Sequence, residues 1–206
     1  MKNIRHSATG LSIAVILGTV GLTGCADTTI SPAAPTGVSA QVSVTAAPLT
    51  VIEPEETLND GQIVGIAAAV NEAEVAAGKL ALSRATTTSV RQFAEHMVTA
   101  HTSIDRQLLS LAGSEGIELK ESNVCKKLKN ETATEGDTLA SMSGAQFDRA
   151  YVTAQLKGHE DVLALLDTKL LPSAHSAALK AVLLETRTKV VEHIRMAKEA
   201  QASMGM

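Results

Sequence analysis

The chain has 206 residues, 45% of them hydrophobic and 19% charged, enough to bury one core but short for two substantial domains. Its formal net charge is -4, and aromatic residues make up 1% with no Trp. A basic nucleic-acid face, a base-stacking platform and an aromatic cage are therefore excluded.

Lys2 and Arg5 precede an apolar stretch from Leu11 to Leu22, which runs into Leu22-Thr23-Gly24-Cys25. A helix needs about 20 apolar residues to cross a bilayer, so this shorter run reads as a cleaved secretory signal. Leu-Thr-Gly-Cys resembles the lipobox of bacterial lipoproteins. The resemblance implies a signal peptide over residues 1–24 and lipid attachment at Cys25, which becomes the new N-terminus. Two or three acyl chains, at about 0.8 kcal/mol per buried methylene, hold a protein stably where one does not. Ala26, rather than Asp, after the cysteine implies sorting to the outer membrane, facing the periplasm. Loss of residues 1–24 removes two basic and no acidic residues, leaving 16 basic against 22 acidic. The resulting negative balance does not draw the chain onto anionic headgroups, so the domain is expected to be tethered rather than embedded. With Cys25 acylated, Cys125 is left alone and no internal disulfide can form. It reads as a partly buried free thiol, with a homodimer bridged through Cys125 as the alternative.

Residues 25–57 hold four of the five prolines, Pro32, Pro35, Pro48 and Pro54, among Ser, Thr, Ala and Val, and show no helical period. This segment reads as a disordered linker. From Leu58 to the end the composition turns to Ala, Leu, Val, Glu and Lys at a 3.6-residue period. Asn59-Asp60-Gly61-Gln62 forms a capping-box start, and Thr88, Ser143 and Ser176 offer further helix starts. The pattern predicts long helices near 60–86, 89–113, 144–171 and 176–202, with a shorter one near 122–139. Short turns at 85–88 and 171–174 force antiparallel neighbours. The economical fold is two helical hairpins joined by a crossover that carries the short helix.

Each long helix places one ionisable side chain on its apolar stripe. On the first, Ile63, Ala67, Val70, Glu74, Ala77 and Ala81 put Glu74 on the seam. His101 interrupts Val90, Ala94, Met97, Ile104 and Leu108 on the second. His159 sits among Val152, Leu156, Leu163 and Leu166 on the third, and His193 among Leu179, Leu183, Val190 and Ala197 on the fourth. Counted from a turn at Thr87, Glu74 and His101 fall at nearly one level. Counted from Ser173, His159 and His193 are offset by six residues, roughly 9 Å, which fits poorly. A buried carboxylate needs a partner. Two readings satisfy it: a hydrogen-bonded polar layer that fixes bundle register, or a site for Zn, Fe or Cu built from Glu74, His101, His159 and His193.

Asn71-Glu72-Ala73-Glu74 with Gly78-Lys79-Leu80-Ala81, then Phe93-Ala94-Glu95-His96-Met97-Val98 with His101, then Phe147-Asp148-Arg149-Ala150-Tyr151 with His159, and finally His193, resemble the domain-of-unknown-function 4142 family over about residues 58 to 200. The resemblance implies an exported bacterial protein and an all-α, ferritin-like antiparallel four-helix bundle, with the short extra helix in the crossover. It supplies no activity. Ala100 stands before His101 where the family has Asp, which removes one carboxylate that would support the histidine.

Other chemistry is thinly represented. The residues three before His96, His101, His159, His175 and His193 are Phe93, Val98, Leu156, Pro172 and Val190, so the Glu-x-x-His ligand pairs of two-metal bundles are missing. No nucleophile elbow or phosphate-cradling glycine loop occurs. Asp148 and Tyr151 are expected to complement the dipole of their own helix and to act as a semi-buried anchor. The sequence thus points to a lipid-anchored envelope bundle that acts by binding a partner or a metal ion rather than by turnover. The alternatives are a metal-dependent redox or stress-protection protein using Glu74, His101, His159 and His193, and a periplasmic spacer.

Overall fold

The computed structural model describes residues 57–206. The expected signal peptide, Cys25 and the linker up to residue 56 lie outside the described residues. Five substantial helices follow: α1 (Asp60–Arg84), α2 (Thr88–Glu115), α3 (Asn123–Ala140), α4 (Gly144–Leu165) and α6 (Ala177–Ser203). Between the last two, a π-helical turn (Leu166–Leu170) leads into the three-residue α5 (Leu171–Ser173). There are no strands among the described residues, and no helix among them is long and apolar enough to cross a membrane.

Helix starts follow the local chemistry. The α1 capping box forms as the sequence predicts: Asn59 Oδ1 accepts from the Gln62 N–H at 3.1 Å, and the Asn59 N–H donates to Gln62 Oε1 at 3.0 Å. Ser122 and Ser176 cap α3 and α6 by accepting from the Cys125 and Leu179 N–H groups. At α2 the cap is Thr87, whose hydroxyl makes no local cap bond. It turns instead to Asp148, which lies on α4 and is wholly buried. The Asp148 carboxylate accepts from the Thr86 and Thr87 N–H groups and from both Thr hydroxyls. Asp148 thus serves the start of α2, where the sequence suggested the dipole of its own helix. The cost of burial acts to raise its pKa, but the hydrogen bonds from Thr87 and Thr86 outweigh it and hold the group below the usual carboxylate range.

That contact also fixes the topology. α4 begins beside the α1–α2 turn, while Ser89 and Ser203 share a hydroxyl bond of 2.8 Å that sets the end of α6 against the start of α2. At the opposite end, Asp60 at the start of α1 accepts from the N–H groups of His175 and Ser176. The hairpins α1–α2 and α4–α6 are therefore antiparallel, and α3 runs back along the bundle as the long crossover. α1 packs chiefly on α2, then on α3, and α2 packs on α6. α1 needs this cover because Ile63, Val64, Ile66 and its alanines leave it apolar almost all round. Residues 117–122 cross its first turns, where a side chain at Gly61 or Gly65 would collide with the carbonyls of Glu118 and Lys120.

The interior divides into two apolar lobes. One gathers Ile63, Ile66, Leu108, Leu166, Leu179, Leu183 and Val190, and the other Phe93, Met97, Phe147, Tyr151, Val152 and Ala197. Along α2, α4 and α6 the residues between these lobes are His101, His159 and His193. Cys125 is buried at 2% exposure, deeper than the partial burial expected of it, and its thiol donates to the Gly65 carbonyl at 3.6 Å.

Candidate metal centre

His101, His159 and His193 lie 2%, 2% and 0% exposed on α2, α4 and α6. One ring nitrogen of each lies within 4.8 Å of the other two. His101 Nδ1 stands 2.9 Å from Asn71 Oδ1 and so carries the proton, which leaves the Nε2 lone pair free. The Asn71 amide also hydrogen-bonds Asp105, linking a carboxylate through an amide to this ring. Asp105 is itself pushed up by burial, then by Glu72, against the pull of that bond. His159 Nδ1 donates to the Gln155 carbonyl at 2.8 Å, freeing its Nε2 in the same way. His193 Nδ1 lies 3.3 Å from His159 Nε2. That is long for a hydrogen bond between rings, but it matches the edge of a tetrahedron whose corners are about 2.0–2.1 Å from a central zinc.

The Nε2 atoms of His101 and His193 are buried with no hydrogen-bond partner. Burial first, then His159, His193 and His96, push His101 down to about 2. Burial, then His159, His96 and Lys189, push His193 down to about 3. Both are neutral at physiological pH, the form that ligates metals. Three imidazoles also leave a tetrahedral ion one open position.

Two of the levels read from sequence change. The α1–α2 turn is centred on Thr86, so the residue level with His101, 15 positions beyond the turn, is Asn71, 15 before it. Asn71 is accordingly 3% exposed and meets His101, whereas Glu74 leaves the seam at 14% side-chain exposure. Glu74 accepts from Gln155 Nε2 at 2.8 Å and places Oε1 3.9 Å from His159 Nδ1, on the ring's far side from Nε2. In the second hairpin the turn spans Ala174–Ser176 rather than Ser173. Recounting from residue 175 cuts the His159–His193 offset to two residues, roughly 3 Å, and the rings meet with centroids 5.2 Å apart.

Three further residues border the centre. His96 stands edge-on to His193, with ring centroids 5.2 Å apart. Five residues from His101, it falls off the 3.6-residue stripe and so escapes a periodicity search. Gln155 is 3% exposed. Its signal was the run Tyr151, Gln155, His159, which steps by four along one face. Tyr151 is wholly buried rather than semi-buried, and its hydroxyl has no partner. Burial, then Glu74, push the phenol well above its ordinary value.

No curated protein and no solved structure matches the chain. The family model described as "Domain of unknown function (DUF4142)" matches residues 46–200, three quarters of the sequence. On that match, and with the helical architecture in accord, the chain belongs to the DUF4142 family.

Proposed function

We propose that this protein is an envelope lipoprotein whose helical bundle binds a transition-metal ion through His101, His159 and His193. It acts by holding the ion rather than by turnover. The observation that supports metal binding is the convergence of three buried imidazoles, with His193 Nδ1 and His159 Nε2 at 3.3 Å and the Nε2 of His101 satisfied by no protein group. Neutral nitrogen donors suit Zn, Cu or Fe. Asn71 and the Gln155 carbonyl orient the rings from behind, and Glu74 supplies negative charge near His159. The N-terminal reading supports a tether: Leu22-Thr23-Gly24-Cys25 after a short apolar run, with lipid on Cys25 and sorting to the outer membrane facing the periplasm.

Metal analysis of tag-free full chain purified in detergent tests the first part. Near-stoichiometric Zn, Cu or Fe is expected in the parent, with loss in His101→Ala and His159→Ala; no metal above trace in the parent, even after incubation with the ions, refutes it. Labelling cells with a radioactive fatty acid tests the second, since Cys25→Ser must abolish incorporation. A redox or stress-protection role is the second reading, favoured by the coordination position that three ligands leave open. It requires copper or iron whose absorption spectrum changes reversibly with reductant and oxidant, and a site filled by zinc alone rules it out.

A further inference from the structure

Next to the histidine layer, on the side of the π-helical turn, lies a cavity of about 30 Å³ walled by α1, α2, α4 with its π-helical turn, and α6. Ile104, Val162 and Val190 line it, and each stands three residues from His101, His159 or His193 towards the end of the bundle where Asp60 meets Ser176. The cavity thus occupies the centre of the next layer, with His101 and Asn71 bordering it from the imidazole side. Every side chain on its wall is buried or half-buried.

Size and lining decide what fits. The wall is apolar except for Asn71, His101 and Thr186. Asn71 Oδ1 and His101 Nδ1 engage each other at 2.9 Å, and the Thr186 hydroxyl donates to the Val182 carbonyl at 2.9 Å. What is left, the lone pairs of Thr186 and of His101 Nε2, falls short of the roughly three hydrogen bonds that a buried water makes. The apolar wall excludes an ion or a charged ligand. A water needs roughly 10–15 Å³ of such space, so the volume suits about two atoms of that size. An unfilled space forfeits dispersion contacts. The chain keeps it against a single π-helical turn, an irregularity that recurs at functional sites.

We propose that this cavity binds an uncharged diatomic gas, of which dioxygen is the probe, beside the imidazoles. Its purpose rests on the metal reading: three imidazoles leave a tetrahedral ion one open position, and His101 belongs both to the cavity wall and to the imidazole cluster. A gas held in this layer is concentrated beside the ion, while the apolar wall disfavours the water and charged solutes that compete for the position. The cavity so names a substrate class for the redox reading. Its occupation by gas needs no ion.

The test dissolves dioxygen under pressure in the chelator-treated full chain and reads the paramagnetic relaxation of labelled methyl groups by NMR. The methyls of Ile104, Val162 and Val190 are expected to relax several times faster than those of Val90 and Val152, which are as deeply buried in the other lobe. Ala67→Leu fills the space from α1 and leaves Asn71 and the three imidazoles in place, so it should abolish the difference. Cavity methyls that relax no faster than Val90 and Val152, or a difference that survives in the filled chain, overturn the proposal. If Ala67→Leu does not fold, Val190→Ile, which adds one carbon to the wall, must reduce the effect at Ile104 and Val162. Zinc retention by the parent reports the imidazole centre separately, so the cavity and the metal reading can each fail without the other.

Discussion

Acidifying the metal-free protein from pH 7.5 to pH 5 should remove several kcal/mol of stability through two histidines. In the folded chain His101 is held down to about 2 and His193 to about 3, against about 6.5 when unfolded. Each folded pKa is depressed, so between roughly 3 and 6.5 the unfolded chain binds more protons. Stability is therefore full above 6.5 and is lost as pH falls below it. Each such group costs about 1.4 kcal/mol per pH unit below its unfolded value, so at pH 5 each contributes about 2 kcal/mol and the pair about 4. A domain with a net stability of about 5–15 kcal/mol registers that loss plainly. Urea unfolding of chelator-treated protein between pH 5 and 7.5 measures it, and stopping at pH 5 stays above the ordinary range of the carboxylates. A His101→Gln, His193→Gln chain should show a nearly flat profile over the same range. A parent slope no steeper than that of the variant would refute the claim that these imidazoles are buried in the neutral form.

Other perturbations discriminate further. Asn71→Ala should weaken metal affinity by roughly 10–100-fold while leaving all three ligands in place, because it frees His101 to rotate; unchanged affinity in a competition titration would deny Asn71 that role. Asp148→Asn should cost about 2–4 kcal/mol in urea unfolding, because the amide presents one acceptor and a competing N–H₂ where Thr86 and Thr87 donate. Gly65→Ala should destabilise by about 1–3 kcal/mol, since its Cβ meets the Lys120 carbonyl. Gly158→Ala, on the same bundle with nothing within 4 Å of the added carbon, should instead stabilise by up to about 1 kcal/mol. Cys125, buried against Gly65, should react with a thiol reagent far more slowly in the native chain than in urea. Native reactivity equal to that of the unfolded chain would show α3 lifting away from α1, as a dimer bridged through Cys125 would require.

The helices were legible because their boundaries are local chemistry. The Asn59 box and the serine at 176 act within four residues, so a linear reading captures them, whereas Thr87 rather than Thr88 precedes α2 and Ser143 makes no side-chain cap bond. Levels between helices were less legible because they depend on where each turn is centred. A one-residue error at Thr86 moves the apparent partner by two, from Asn71 to Ala73, which left its neighbour Glu74 as the nearest ionisable side chain at that level. The π-helical turn at Leu166–Leu170 left no recognisable mark in the leucine-rich run that contains it. Both Leu166 and Leu170 stay buried across that wide turn, while Leu156 and Leu163 drift to partial burial and Gln155 takes the inner face. Asp148 shows the other limit: a carboxylate near one helix start reads as serving that helix, and only the folded chain brings a second helix start against it.

The polar layer itself helps choose between a register device and a binding site. A layer kept for register should be saturated with hydrogen bonds, because buried polar groups favour one alignment only if that alignment satisfies them. Here Asn71 satisfies one side of His101 and the Gln155 carbonyl one side of His159, which fixes the rings. The remaining nitrogens meet a single long contact of 3.3 Å and leave two Nε2 atoms unpartnered. Each orphan costs about 1–3 kcal/mol, and an apolar residue there would join the lobes that flank the layer. His101, oriented from behind by Asn71 and unsatisfied in front, is a poor register device. It suits a ligand that supplies positive charge beside its Nε2, where His159 Nε2 and His193 Nδ1 also stand.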